Sequence, residues 1–315
     1  MISSFVLDNL TLNKSAKFGQ NFDCEYIYES GGLDWGNIPA THHIYSYPRQ
    51  IGSSFSSTKI NEREITIEAY AYYAITEDDK HLYPRKQWAS YGYNKIKEKK
   101  KKLNELINPL HVLRLTIGNY YIEGRPNATP QYGTTEQDNN LFFCKFLVTI
   151  FCANPMFRKL TETVTVLSGN VGAFHFPLEF PPYGIIMGTR TSYLMLAVQN
   201  EGDVEVGGKI IITAKGTVVN PTIENVTTGQ QLTIRKTLSA GETVIINTED
   251  GSERGVIGEY QGVRSNYLQY WDFNNDWVKF EAGTSLIGYS TESQTENYME
   301  VTIQINPSRF GLEDM

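Results

Sequence analysis

The sequence predicts a mainly β protein with two domains, and three observations carry this prediction. Apolar and polar residues alternate in several segments, which is typical of antiparallel strands that bury one face in a sandwich. The chain contains 20 Tyr, 15 Phe and 26 Gly residues, which suits pleated strands joined by tight turns. A length of 315 residues exceeds the ~100–200 residues of one ordinary domain, so two domains are expected.

Two segments of the first half show the clearest alternation. The segment from Glu64 to Tyr73 places four apolar residues on one face of a predicted strand: Ile65, Ile67, Ala69 and Ala71. A shorter segment repeats the pattern with Leu113, Leu115 and Ile117. Strict alternation buries one face and leaves the other in water, so both segments are predicted as sandwich strands.

The second half shows alternation throughout. Its predicted inward residues form three groups: Leu232 and Ile234, Val244 and Ile246, and Met299, Val301, Ile303 and Ile305. The pairs Thr228-Gly229 and Asp250-Gly251 are typical of hairpin turns. This half is therefore predicted as a pure β-sandwich.

One helix is predicted, roughly from Pro84 to Ile107. Proline suits the first turn of a helix, and Pro109 biases the preceding residue out of the helical region. An apolar stripe is formed by Trp88, Ile96, Leu103 and Ile107. The helix carries the basic run Lys97–Lys102, which we interpret as a solvated face. The alternatives are a patch for nucleic acid or membrane, or contact with an acidic face of a neighbouring subunit.

Two long loops interrupt the first half. Ser30–Ser57 is rich in Gly, Ser, Pro and aromatic residues, whereas Glu123–Asn140 is polar and contains two prolines. Long loops in compact domains tend to be functional or disordered, and we predict a protruding arm at Glu123–Asn140. A boundary near Asn154-Pro155 divides the chain into predicted domains 1–157 and 158–315.

Charge and hydropathy argue against several classes of protein. The formal net charge is −7, whereas proteins that hold DNA by its phosphates are usually basic. The N-terminus lacks the basic and apolar regions of a signal peptide. The longest apolar stretch, Phe142–Ala153, contains Lys145 and is too short to span a membrane. We therefore expect neither nucleic-acid binding nor secretion nor membrane insertion.

The sequence offers no convincing catalytic, cofactor-binding or metal-ligating constellation, so none of these sites and no cofactor is expected. Zinc-ligand spacing is lacking among the histidines, which are His42, His43, His81, His111 and His175. The acidic pairs Asp78-Asp79 and Glu249-Asp250 are interpreted as solvated loop charges rather than as a glycosidase acid and base.

The cysteines are interpreted as small buried hydrophobic residues in a reducing compartment. They are Cys24, Cys144 and Cys152. The last two fall in one predicted strand about 26 Å apart, at ~3.3 Å per residue, which is too far for a disulfide.

An aromatic cluster in the second half has three interpretations. It comprises Tyr267, Tyr270, Trp271, Phe273 and Trp277. Large aromatic residues usually fill sandwich cores, which we favour here. Partner contacts and stacking on a glycan are the alternatives.

Several segments follow one another in a characteristic order and spacing. The second half contains NPTIENVTTGQQLTIRKTLSAGETVIINTEDGSERGV, then Trp271-Asp272-Phe273, Trp277-Val278-Lys279-Phe280 and Gly283-Thr284-Ser285-Leu286-Ile287. The first half contains REITIE from Arg63, a helix that ends in LINP, and a strand that ends in CANPMF. In these features the chain resembles the bacteriophage distal tail protein family, with Thr284-Ser285 in place of the family's usual Asn.

The resemblance implies a structural virion protein and not an enzyme. The family's N-terminal β-sandwich, with one helix, assembles a ring, and a C-terminal galectin-like jelly-roll β-sandwich lies outside it. The ring, usually a hexamer, is a baseplate hub that joins the tail tube protein to a tail-associated lysin, tail fibre or receptor-binding protein. DNA passes through its channel without specific binding. The implied location is the virion tail tip, after synthesis in the host bacterial cytoplasm, with no membrane partner.

Two other functions remain open from the sequence. The first is a carbohydrate-binding module that recognises host cell-wall glycans through the C-terminal sandwich, and the second is a glycosidase. A ring oligomer would favour the hub, whereas a monomer that binds cell-wall polysaccharide would favour the module.

Overall fold

The computed structural model describes residues 4–167, 170–172, 188–190, 195–250, 254–292 and 295–312. The chain divides into two compact units. The first comprises Met1–Arg158 with Phe310–Met315, and the second comprises Lys159–Arg309. Among the described residues, no helix has the length and apolar character needed to cross a membrane.

The first unit is built on one large sheet. The strands of this unit are β1 (Ser4–Asn9), β2 (Lys14–Gly19), β3 (Tyr26–Ile27), β4 (Leu33–Asp34), β5 (Ala40–Tyr45), β6 (Ser54–Ile60), β7 (Arg63–Tyr72), β8 (Leu113–Ile117), β9 (Tyr120–Pro126), β10 (Gln131–Tyr132), β11 (Phe143–Cys152) and β12 (Phe157–Lys159). The sheet order is β10-β11-β7-β3-β2-β1-β8-β9-β12, and β4 pairs with β7. Because β9 also pairs with β11, the sheet closes on itself around the core. Strands β5 and β6 form a separate hairpin.

The apolar residues that alternate with polar ones in the sequence are the residues that this sheet buries. The predicted inward residues are buried: Ile65, Ile67, Ala69 and Ala71 on β7, and Leu113, Leu115 and Ile117 on β8. Opposite them, β11 contributes Phe146 and Val148, and the rings of Phe5 and Phe18 stack at 5.0 Å. Each fully buried large apolar side chain contributes roughly 1.5–3 kcal/mol, so the pattern accounts for the closed sheet.

Two helices lie in the described part of the first unit, α1 (Glu77–Leu82) and α2 (Trp88–Leu106). The predicted helix is confirmed, although a short 3-10 turn precedes Trp88. Helix α1 was not predicted. Its signal is a capping box, in which Thr76 Oγ1 accepts from the Asp79 N–H and Asp79 Oδ2 accepts from the Thr76 N–H. Hydrogen bonds from Tyr73 and Thr76 lower the pKa of Asp79 to about 2, so Asp79 is a helix cap and not a solvated loop charge.

The segment predicted as a protruding arm, Glu123–Asn140, is partly strand and partly exposed loop. Two parts of segment Glu123–Asn140 belong to the sheet: residues 123–126 lie in β9, which pairs with β8, and β10 pairs with β11. Residues 133–140 lie outside the strands and are mostly exposed. Pro126 and Pro130 are buried. The two prolines thus mark a strand end and a buried bend, and the exposed part of the segment follows them. The exposed hairpin is β5–β6, which lies mostly within the other long loop.

The residues that follow the second unit return to the first. Arg63 is buried, its Nη2 donates to the Phe310 carbonyl, and its guanidinium lies 4.8 Å from the centre of the Phe157 ring. Leu312 packs against the core of the first unit. This unit is therefore completed by residues from both sides of the second unit in the chain.

The second unit consists mainly of two sheets around one core. Its strands are β13 (Thr163–Leu167), β14 (Asn170–Gly172), β15 (Gly188–Arg190), β16 (Met195–Asn200), β17 (Gly208–Ala214), β18 (Val218–Val219), β19 (Thr222–Asn225), β20 (Gln230–Thr233), β21 (Thr237–Leu238), β22 (Thr243–Asn247), β23 (Gly255–Tyr260), β24 (Val263–Asn266), β25 (Gly283–Ser290), β26 (Met299–Ile305) and β27 (Ser308–Arg309). One sheet has the order β13-β26-β17-β22-β23-β24 and the other β16-β25-β19-β20. The predicted inward residues are all buried in the core: Leu232, Ile234, Val244, Ile246, Met299, Val301, Ile303 and Ile305. The predicted sandwich is confirmed.

The three cysteines are buried and free, as predicted. Cys144 and Cys152 lie on β11, with their side chains on the inner face of the sheet. Burial raises the pKa of Cys152 to about 12, which keeps the thiol protonated and suits its role as a small core residue.

Candidate assembly surface

The hairpin of β5 and β6 is exposed along almost its whole length. Every residue of β5 is exposed, and so are all residues of β6 except the half-buried Ser54. The connecting turn is closed by two hydrogen bonds of 3.0 Å: the Gln50 N–H donates to the Tyr47 carbonyl, and the Tyr47 N–H donates to Gln50 Oε1. Pro48, inside the turn, fixes one backbone angle in advance. The turn chemistry and the β-forming residues therefore define the hairpin without help from a core.

A bulge keeps the hairpin amphipathic. Ala40 pairs with Ile60 and His43 with Ser57, but Ile44 pairs with Phe55, so Ser56 is the extra residue. A regular ladder would place Ser56 opposite Ile44 and move Phe55 to the other face. The contact between the His42 and Phe55 rings, with centres 5.4 Å apart, confirms that Phe55 shares a face with His42 and Ile44.

The apolar face of the hairpin has no protein packed on it within the described residues. The exposed fractions are 60% for Ile44, 71% for Phe55 and 39% for Ile60. The opposite face carries Thr41, Ser57 and other mainly polar residues. An exposed strand face with apolar side chains is typical of a surface that another chain covers.

The basic run on α2 serves two purposes. Lys99 Nζ donates to the Glu25 carbonyl at 2.9 Å and lies 4.6 Å from the centre of the Tyr72 ring. Lys100 Nζ donates to Asn139 at 3.1 Å and lies over the Tyr132 ring. Burial lowers the pKa of Lys99. These two lysines attach the helix to the sheet, whereas Lys97, Lys101 and Lys102 are exposed. The interpretation as a solvated face is thus correct for only part of the run.

The aromatic cluster of the second unit packs mostly against the core, as favoured from the sequence. Four members are partly buried against it: Tyr267, Tyr270, Trp271 and Trp277. The rings of the two tryptophans stack at 4.4 Å. Phe273 is fully exposed. The cluster therefore provides little aromatic surface for a sugar to stack on.

A buried carboxylate joins this cluster to strand β22. Glu242 is 2% exposed and accepts hydrogen bonds from Lys236 Nζ at 2.7 Å, the Ser239 N–H at 2.9 Å and the Tyr267 hydroxyl at 2.8 Å. Burial raises the pKa of Glu242, but these hydrogen bonds outweigh it, so the net shift is downward. Lys236 also lies 5.1 Å from the centre of the Tyr267 ring. The group is a fully hydrogen-bonded structural network.

The histidines and acidic pairs are dispersed over the described residues. His42 and His43 are exposed on the hairpin, His81 lies in the last turn of α1, and His111 contacts Asn9. His175 lies outside the described residues. Glu249-Asp250 follows β22, and Asp250 forms ion pairs with Arg254 and Lys279. In the described ranges, no group of three or more His, Cys, Asp or Glu side chains is placed to hold a metal ion.

Comparison with known proteins gives a family match in the second unit. Residues 201–306 match the family described as siphovirus-type tail component, C-terminal domain. No curated protein matches the sequence. The crystal structure of Dit (gp 19.1) of phage SPP1, titled a paradigm of hub adsorption apparatus in Gram-positive infecting phages, is similar over 96% of this chain and 98% of that one. The identity is 10% and the TM-score 0.61.

Two further solved structures are of the phage P2 baseplate in its activated conformation. The chain determined with Ca has 12% identity, coverage of 96% of this chain and 98% of that one, and a TM-score of 0.43. The chain determined with Sr has 11% identity, coverage of 97% of this chain and 98% of that one, and a TM-score of 0.44.

The second unit thus matches a siphovirus-type tail component, and the two-unit, mainly β fold of the whole chain is similar to that of Dit from phage SPP1. The resemblance to the bacteriophage distal tail protein family is thereby confirmed. That family is a structural family of phages and not a known enzyme family.

Proposed function

We propose that this protein is a structural subunit of the distal tail, or baseplate hub, of a bacteriophage and that it assembles into a ring of six copies. The ring joins the tail tube protein to a tail-associated lysin, tail fibre or receptor-binding protein. Its central channel lets DNA pass without binding it. The protein is located at the tail tip of the virion.

The observation that carries this proposal is the exposed amphipathic hairpin. Ile44 and Phe55 lie opposite each other on its apolar face. Both side chains are mostly exposed to solvent, although burial of apolar side chains is favourable. Burial of each such side chain against another subunit would stabilise the assembly by roughly 1.5–3 kcal/mol. The family match of the second unit supports a place in the tail for this assembly.

Mass measurement of the purified chain tests the proposal. We expect a particle of six times 35.7 kDa by light scattering coupled to size exclusion. The double variant Ile44→Lys/Phe55→Lys should be monomeric, because two charges would have to be buried. The matched control Thr41→Lys/Ser57→Lys adds the same charge to the polar face and should still assemble.

A monomeric native chain would contradict the proposal. Binding of that monomer to purified cell-wall polysaccharide would instead favour the carbohydrate-binding module. Assembly of the Ile44→Lys/Phe55→Lys variant would show that the hairpin does not carry the interface.

A further inference from the structure

The apolar face of the β5–β6 hairpin contains one side chain that can gain a charge near neutral pH, His42. We infer that His42 makes assembly of the ring sensitive to pH, because a protonated imidazole resists burial against the next copy. This inference rests on the proposed ring and adds a means of regulating it. Histidine is the side chain whose charge ordinarily changes between pH 5 and 8.

The pairing of the two strands places His42 on the same face as the exposed apolar residues. His42 pairs with Thr58, and Ile44, two residues further along β5, pairs with Phe55. Residues two apart on a strand share a face. The rings of His42 and Phe55 also meet edge to face, with centres 5.4 Å apart. A subunit that covers Ile44 and Phe55 therefore covers His42 as well.

The free hairpin accommodates both charge states of His42. The side chain is exposed, as is every residue of β5. Its Nδ1 lies 2.9 Å from Thr58 Oγ1, and a hydroxyl can donate to a neutral ring nitrogen or accept from a protonated one. Burial at an interface is thus the step that distinguishes the two states.

The hairpin offers no negative charge to compensate a buried imidazolium. Residues 40–60 contain neither Asp nor Glu, and β5 pairs with β6 alone in the part of the chain that the structure describes. The charged side chains are Arg49, in the turn, and Lys59, which lies with His43 on the opposite face. Each of these groups carries or can gain a positive charge, so none of them would favour protonation of His42.

The direction of the pH effect follows from the cost of burying a charge. Burial disfavours the charged form of a histidine. The dissociated subunits therefore bind more protons than the assembled ring, and assembly is lost as the pH falls. Because the subunits are identical, every interface of the ring contains one His42 and responds in the same way.

Assembly of the full chain at pH 7.5 and at pH 5.5 tests the inference. Carboxylates largely keep their charge over this range, since their usual pKa values are about 4. The protein concentration at half assembly is measured by light scattering coupled to size exclusion. It should be about tenfold higher, or more, at the lower pH.

Three variants separate His42 from the other titrating groups. His42→Gln stays neutral, so its half-assembly concentration should change less than about twofold between the two pH values. His43→Gln removes the neighbouring histidine from the polar face and should keep the response of the native chain. His42→Lys is charged at both pH values, so it should assemble at pH 7.5 as weakly as the native chain does at pH 5.5.

Assembly at pH 7.5 is measured first, so that the two proposals fail separately. Absence of any oligomer of the native chain at that pH overturns both. A ring that persists unchanged at pH 5.5, or that dissociates equally in the His42→Gln variant, overturns the pH inference and leaves the hub intact. Stronger assembly at pH 5.5 also overturns it, because a carboxylate of the next copy would then have to lie beside His42.

Discussion

Glu242 and Lys236 show how a single ionic contact stabilises the second unit. Only 3% of the Glu242 side chain and 22% of the Lys236 side chain are exposed. A charge left alone in such a place costs several kcal/mol when fully buried, and less here because Lys236 reaches solvent. Lys236→Met should therefore lower the free energy of unfolding by about 2 kcal/mol in urea titration. The control Lys215→Met removes an exposed pair with Glu300 and should change it by less than about 0.5 kcal/mol.

Asn9 is the second residue for which the hydrogen bonds predict a large effect. Its side chain serves one carbonyl and two N–H groups, and it is 1% exposed. Asn9→Ala should lower the free energy of unfolding by about 3 kcal/mol, because buried backbone groups lose their partners. Asn108→Ala, which frees one exposed N–H, should cost about 1 kcal/mol. Equal urea midpoints for the two variants would refute the role assigned to Asn9.

At the residue scale, sequence patterns predict which side chains are buried better than they predict which side chains form hydrogen bonds. Alternation identified Ile65, Val244 and Ile303 as core residues because apolar burial repeats with the strand period. The environment of Asp79 depends on a capping box that was not recognised, and that of Glu242 on a lysine and a tyrosine distant along the chain. Such polar contacts leave no periodic signal in the sequence.

Among the elements, α2 offers a test of the divided role of its lysines. Lys99→Ala/Lys100→Ala removes two hydrogen bonds and three contacts with aromatic rings. Together these losses should lower the free energy of unfolding by about 2 kcal/mol. Lys97→Ala/Lys101→Ala removes the same charge from exposed positions and should change it by less than about 0.5 kcal/mol. If both double variants unfold at one urea concentration, the run is a solvated face throughout.

The hairpin shows why alternation does not predict an exposed two-stranded element. A strand is predicted from the contrast between a buried and an exposed face, but both faces of β5 and β6 are exposed in the single chain. The bulge at Ser56 also interrupts the alternation of Phe55 with the residues that follow. The segments HIYSYPRQ and SFSSTKI still contain β-forming residues around a Pro-containing turn, and this was the available signal.

For the whole molecule, the boundary between predicted domains 1–157 and 158–315 stays a prediction that fragments can test. Residues 159–309 contain a complete core of their own, so this fragment should unfold cooperatively in urea as a monomer. Residues 1–158 lack Phe310 and Leu312 and should be less stable than 1–158 joined to 310–312 through a flexible linker. A disordered circular dichroism spectrum of the fragment 159–309 would contradict the two-domain interpretation.

The charge of the molecule predicts how it treats DNA. Binding to DNA is driven by Lys and Arg side chains that replace the counterions of the phosphates. Because this chain is acidic, its association with DNA should be negligible at physiological salt. We expect no change in the anisotropy of a labelled duplex up to about 10 µM protein. The variant Lys97→Glu/Lys101→Glu serves as the control and should give the same result. Micromolar binding that falls steeply with salt, and is lost in the control, would show that the exposed lysines hold DNA.

The return of Phe310 and Leu312 to the first unit sets an order of events during translation. The ribosome synthesises all of the second unit before it reaches Phe310 and Leu312 of the first. The second unit can therefore be complete while Arg63 in the first unit still lacks the Phe310 carbonyl as its acceptor. A nascent chain therefore cannot complete the core of the first unit until synthesis has passed Leu312.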